Sequence, residues 1–401
     1  MSGVHGGVCA PKGFTASGVA ANIKGVDPER LDCALVLSER PAAAAGTFTT
    51  NLVKAAPVAW TEGVCKKGVA RAIFANSGNA NACTGEQGAA DVKATAAAVG
   101  RGLGIAAEET CVLSTGVIGV PLPMERILGG VEKCARAHNA DGSHEAARAI
   151  MTTDTVPKEM AARVALSTGD VTLGAIAKGA GMIAPNMATM FCFITTDVEI
   201  SPGELQPLLR GAVDSSFNRV CVDNDMSTSD AVVCLANGMS GVKLMPGTAD
   251  AEMFERGLDV ICTGMAKALV RDGEGVTKFI QVMVDGAETE AHAKTIARSI
   301  ATSQLCKTAF FGEDPNWGRI AAAAGYAGVP FDPNQLSVRI GEIEVMRNGA
   351  VADYKEEDAA AHMRETDIDI HVAVGAGPGH AVFWTSDLSH EYVTINADYR
   401  T

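Results

Sequence analysis

One stretch holds the residues best suited to covalent chemistry: Lys178-Gly-Ala-Gly-Met-Ile-Ala-Pro-Asn-Met-Ala-Thr189, which runs on into Met-Phe-Cys-Phe-Ile-Thr-Thr-Asp197. Gly179, Gly181 and Pro185 make a shaped, non-helical connection. Met190 to Ile194 is an apolar run of strand length. A threonine at the start of a buried strand is held rigidly. Its hydroxyl is still a weak nucleophile at neutral pH and needs a base beside it. An N-terminal threonine carries that base as its own α-amine, which titrates near pH ~8. Thr189 is internal, so this chemistry requires the chain to cut itself between Ala188 and Thr189, the hydroxyl attacking the preceding carbonyl. The plainer reading is a β-branched residue suited to a strand.

Other candidates lie elsewhere in the chain. Thr115-Gly116, inside Val112-Leu-Ser-Thr-Gly-Val-Ile-Gly119, reads as a turn breaking a strand. Such a turn can aim a hydroxyl and a backbone N–H at one spot, the hardware of an oxyanion hole, or can simply end a strand. Lys178 closes a strand next to glycines, where an ammonium group either faces water or holds a carboxylate. Glu274 sits between Gly273 and Gly275, where a carboxylate either faces water or receives an ammonium group. Thr152-Thr-Asp-Thr155 and Ser227-Thr-Ser-Asp230 are clusters of small polar residues. Gly179-Ala-Gly181-Met-Ile-Ala184 matches the dinucleotide fingerprint, but Pro185-Asn186 and the apolar run after it deny it the helix that fingerprint must open. The run Asp272 to Lys278 lacks P-loop spacing.

The elements that must position these groups follow from pattern. Val69 to Ala75 reads as a buried strand leading into a polar loop, Asn76 to Asn81. Ala89 to Val99 is helical, as is His144 to Met151. Arg163 to Ala177 alternates around Ser167-Thr-Gly-Asp170, a hairpin that delivers Lys178. Ser201-Pro202-Gly-Glu204 has the form of a capped helix start. Ala249 to Leu269 is a long helix, and Phe279–Val284 a strand after Glu274. From about Asp285 the composition changes. Alternating strands at Leu336–Val345 and Thr366–Val374 read as a half-exposed sheet, which places a second, smaller α+β domain at 286–401 after a catalytic domain at 1–285.

At 401 residues the chain can bury a large core. Apolar residues are 47%, charged residues 20% and the net charge is −14, values that fit a water-soluble enzyme and speak against nucleic-acid or anionic-membrane partners. The eleven cysteines are scattered without C-x-x-C spacing, and the eight histidines form no metal motif. With no signal peptide or transmembrane run, a cytoplasmic protein with reduced thiols is the expectation.

Met187-Ala-Thr-Met190 and its surroundings closely resemble the autoprocessing segment of the ornithine acetyltransferases, the glutamate N-acetyltransferases of arginine biosynthesis. The likeness covers essentially the whole chain, including Lys307-Thr-Ala-Phe-Phe-Gly-Glu-Asp-Pro-Asn-Trp-Gly-Arg319 and the tail Val393 to Thr401. The resemblance implies a mixed α/β (α+β) fold: a helix-sheet-sheet-helix sandwich of the N-terminal-nucleophile type with a smaller C-terminal domain. It implies self-cleavage into chains 1–188 and 189–401, paired as α2β2. It makes Thr189 the nucleophile and Thr115 and Gly116 the oxyanion hole. It gives substrate contacts to Thr155, Lys178, Thr189, Glu274, Asn396 and Thr401. The implied reaction moves an acetyl group from N2-acetyl-ornithine to glutamate with no metal or cofactor. Acetyl-CoA is a further donor to consider, and no motif reads as a CoA site. Two other classes compete: a related self-cleaving amidase or aminopeptidase, with water resolving the acyl-enzyme, and a carrier or sensor that binds amino acids without processing them.

Overall fold

The structure is a computed structural model, and it describes residues 1–184 and 190–398. The described residues build two sheets, one of nine strands and one of seven. The first is organised on the long strand Cys33–Phe48. Its opening half pairs with Phe14–Val19 and Val69–Asn79, and its closing half with Ala231–Ala236. The register shifts between Leu37 and Ala42, around Pro41, where a proline cannot donate to the ladder and the strand bends.

Side-chain alternation shows what the bend achieves. Ile73 and Ala75 share one core with Phe191, Phe193 and Val233. Their neighbours in the chain face outward. Ala72 and Phe74 pack with Val99, Ile127 and Val131 of the helices Gly85–Leu103 and Met124–Ala137. Cys192, Ile194 and Val232 pack under Pro202–Ser215 and Ala249–Arg271. The two halves of one curved sheet therefore face each other, with helices on both outer faces, which is the expected layered sandwich. The short helix Ser143–Ala149 adds Ala146, Ala147 and Ala149 to the inner core.

Several local expectations are met. Lys158–Leu166 and Gly169–Lys178 form the antiparallel hairpin. Ser201 Oγ accepts from Glu204 N at 3.3 Å while Glu204 returns a carboxylate oxygen to Ser201 N at 3.1 Å, a capping box. Two expectations are corrected. The polar loop after Ala75 and the turn at Ser114–Gly116 are both strand: Val69–Asn79 and Thr110–Val117 pair in parallel, with Ser77 opposite Thr115 and Gly78 opposite Gly116. Cross-strand bonding outweighs local turn propensity here. The buried Ser114 hydroxyl donates to Asn76 Oδ1 at 2.7 Å.

The second sheet buries one face under the helices Glu290–Thr302, Gln304–Phe311 and Trp317–Gly325. Its other face meets the first unit, where Phe279 and Trp384 join the core beneath Ala249–Arg271. Residue 285 lies inside the strand Phe279–Ala287, and the sheet also takes an edge strand, Val220–Cys221, from earlier in the chain.

Candidate active site

The parallel strands Val69–Asn79 and Thr110–Val117 end together, the side of such strands on which ligand crevices open. A cavity of about 350 Å³ lies there, and its wall includes Thr115, Gly116, Lys178, Glu274 and Asn396. Gly116 has φ 131°, and a Cβ on it would lie 2.4 Å from the Gly78 carbonyl carbon, so only glycine allows this approach of the two strands.

Lys178 is 1% exposed and donates to Thr115 Oγ1 at 3.4 Å. Burial pushes its ammonium group down, and Asp154 opposes that shift. Asp154 is itself buried. Burial pushes its carboxyl up, but Lys178 and Lys158 outweigh that and hold it at about 2. Asp154 accepts from Lys158 Nζ at 2.7 Å, Gly179 N at 2.6 Å and Thr152 N at 3.0 Å. One carboxylate thus fixes the end of the hairpin to the 152–154 turn. Lys158 also pairs with Asp272.

Glu274 is set by backbone and by close approach. Its N–H donates to Ala180 O at 2.9 Å. A Cβ on Gly181 would lie 2.4 Å from Glu274 Oε2, so the glycine makes room for the carboxylate. Asn396 Nδ2 donates to that same oxygen at 2.8 Å. The loop bearing Glu274 is closed by Asp387, which accepts from Thr277 N at 2.9 Å and Lys278 N at 3.0 Å. The preceding Ser386 is held by the buried Lys307 of the Lys307–Arg319 motif, Nζ donating to Ser386 Oγ at 3.0 Å.

Thr155 is exposed and stands outside the cavity wall, its hydroxyl donating to Asp272, whereas Thr152 and Thr153 line the wall. Ala188, Thr189 and Thr401 lie outside the described residues. The strand expected after Thr189 is Phe191–Thr196 and is buried throughout.

Acids at or beside the site that were not singled out from the sequence include Asp154, Asp223, Asp225 and Asp230. Asp223 lines the cavity and accepts from Met182 N at 2.7 Å, Ile183 N at 2.8 Å and the Tyr392 hydroxyl at 3.2 Å. Burial pushes its carboxyl up to about 6. Tyr392 and Asn396 both belong to the helix His390–Asp398, although the end of a chain is ordinarily frayed. The wall carries acids at Asp223, Asp225 and Glu274 and a cation at Lys178. That mixture suits a small zwitterion.

The family model for the ArgJ family matches residues 15–401. The chain belongs to the ArgJ family. It is 48% identical over 402 residues to the arginine biosynthesis bifunctional protein ArgJ of Symbiobacterium thermophilum, covering 100% of both chains. It is 46% identical over 399 residues to the glutamate N-acetyltransferase of Methanopyrus kandleri, covering 98% of this chain and 100% of that one. The crystal structure of ArgJ from Bacillus halodurans superposes with a TM-score of 0.50 at 39% identity, over 52% of this chain and 98% of that one. The expected family and the expectation of an enzyme of the ArgJ type are both borne out. Among the described residues no helix is long and apolar enough to cross a membrane.

Proposed function

We propose that the protein transfers the acetyl group of N2-acetyl-L-ornithine to L-glutamate through an acetyl ester on Thr189. The observation that carries this reading is the single cavity wall shared by Thr115, Gly116, Lys178, Glu274 and Asn396. Self-cleavage comes first. The Thr189 hydroxyl oxygen attacks the Ala188 carbonyl carbon, the C–N bond breaks, and the hydroxyl proton ends on the departing nitrogen. Water then hydrolyses the ester, so the sum is one water added across Ala188–Thr189. The freed α-amine is the base for catalysis.

In the first half-reaction Thr189 Oγ attacks the acetyl carbon. The Thr115 hydroxyl and the Gly116 N–H stabilise the oxyanion, and ornithine leaves with the proton the amine collected. In the second, the α-amine of glutamate attacks the ester and leaves as N-acetyl-glutamate. An amide is exchanged for an amide, so no energy source, metal or cofactor is required. Lys178 takes a substrate carboxylate. Glu274, supported by Asn396, takes the ornithine ammonium group, with Thr155 and Thr401 as further contacts. While its hydroxyl donates to Asp272, Thr155 can offer the substrate only an acceptor. Acetyl-CoA is proposed as a second donor to the same threonine. The products of the cut, chains 1–188 and 189–401, assemble as α2β2. The 98% coverage of the Bacillus halodurans chain by 52% of this one supports a mid-chain cut. Eleven free cysteines suit a reducing cytoplasm.

The test is ornithine release from N2-acetyl-ornithine with and without glutamate. A transferase turns over only with glutamate. Equal turnover without it makes the enzyme an amidase.

A further inference from the structure

Tyr392 has no part in the mechanism above, yet it lines the cavity and its phenol stands where the acids of the wall converge. The helix His390–Asp398 is seated on the loop of Glu274. Ser389 Oγ donates to Gly275 O at 2.6 Å, and a Cβ on Gly275 would lie 2.5 Å from Tyr392 N. From there the phenol donates to Asp223 Oδ2 at 3.2 Å. Burial, and after it the charges of Asp223, Asp225 and Glu274, push the phenol above its ordinary range, so it keeps its proton and remains a donor.

The bond to Asp223 is one the acid can spare. It is long for a hydroxyl on an oxygen, where ~2.7–2.8 Å is usual. Asp223 also accepts from Met182 N at 2.7 Å, Ile183 N at 2.8 Å and Asp225 N at 3.1 Å, so neither of its oxygens is left bare when the phenol turns away. The side-chain N–H groups of Asn396 are already engaged, on Glu274 Oε2 at 2.8 Å and on the Tyr392 carbonyl at 3.0 Å. Of these two side chains, Tyr392 is therefore the donor that can be redirected.

Both substrates carry an α-carboxylate, for which Lys178 is the cation of the wall, so their side chains extend to the Glu274 end. There ornithine brings a cation and glutamate an anion. Asp223 and Glu274 attract the first and repel the second. We propose that Tyr392 is the specificity-determining residue for the acceptor: its O–H stays on Asp223 while ornithine is bound and turns to the side-chain carboxylate when glutamate is bound. The proposal rests on the reading of this cavity as the acetyl-transfer site.

Tyr392→Phe keeps the ring and removes the donor. In a two-step exchange, kcat/KM for each substrate reports its own half-reaction. The value for glutamate should fall roughly ten- to a hundredfold, the worth of a hydrogen bond to a charged group. The value for N2-acetyl-ornithine should fall far less, because the ammonium group keeps Glu274 and Asp223. A merely loosened helix would lower both. Equal falls, or no fall for glutamate, overturn the proposal. Should the variant fail to fold, the fluorine NMR resonance of fluorotyrosine placed at position 392 of the otherwise unchanged chain decides. A larger shift with glutamate than with norvaline, which lacks the side-chain carboxylate, supports the proposal, and equal shifts overturn it. A parent that releases no ornithine, or releases it equally without glutamate, removes the acetyl-transfer reading itself. A parent that needs glutamate, beside a variant that shows no split, removes only the role of Tyr392.

Discussion

Asn396 and Glu274 stand 122 residues apart in the chain and are joined by a hydrogen bond of 2.8 Å inside the cavity. The bond ties the last helix to the loop after Ala249–Arg271. That helix buries none of its own side chains, so polar contacts of this kind hold it in place. Asn396→Ala leaves the fold intact. It raises KM for a basic donor by roughly ten- to a hundredfold, the worth of a hydrogen bond to a charged group, and leaves kcat nearly unchanged. Steady-state kinetics with N2-acetyl-ornithine check this.

Gly181→Ala tests the same carboxylate from the other side. The added Cβ would lie 2.4 Å from Glu274 Oε2, so the carboxylate must move. Calorimetric titration with ornithine should show binding weakened by at least about tenfold, while the melting temperature changes little. Unchanged binding would mean Glu274 does not meet the ligand.

Lys178→Met removes the cation beside Thr115 and leaves Asp154 with Lys158 alone. Loss of a preorganised charge at such a site costs roughly a hundredfold or more in kcat/KM. The same variant should lose stability in a urea titration, since Asp154 then keeps one of its two cationic neighbours.

Acid sensitivity follows from Asp154. Its folded pKa of about 2 lies below the unfolded value of ~3.9. A depressed acid contributes stability that is present above the unfolded pKa and is lost as pH falls through the folded one. The parent should therefore lose about 2 kcal/mol between roughly pH 4 and pH 2 from this group. In Asp154→Asn that pH-dependent loss is absent, although the variant is less stable at neutral pH because the buried Lys178 loses its nearest counter-charge and Lys158 keeps only Asp272. Urea midpoints measured across pH distinguish the two proteins.

What the sequence made legible was local. The hairpin that ends at Lys178, the capping box at Ser201 and the long helix under the first sheet follow from periodicity and end signals. Glu274 stood out between two glycines, but the glycine that makes room for its carboxylate is the distant Gly181. Thr115 and Gly116 were recognised as a pair, yet the segment was read as a turn. Only their long-range pairing with Ser77 and Gly78 makes it strand. Asp154, Asp223 and Asp230 were not singled out, because nothing in an aspartate's immediate neighbours tells that it will be buried against a distant lysine or strand end. The same holds for Val220–Cys221, an edge strand of a sheet whose other members follow residue 278. Thr155 carries the opposite lesson. The family resemblance placed it at the site, and the partner of its hydroxyl, Asp272, lies 117 residues away.

The proposed chemistry depends on Thr189 as a nucleophile freed by cleavage. The measurement that tests this most directly is the denatured intact mass of the protein after incubation with N2-acetyl-ornithine and no glutamate, beside Thr189→Ala. Two chains are expected for the parent. The one beginning at Thr189 should be heavier by one acetyl group, and the variant should remain a single unmodified chain. An uncut parent, or an acetyl group on any other residue, would contradict it.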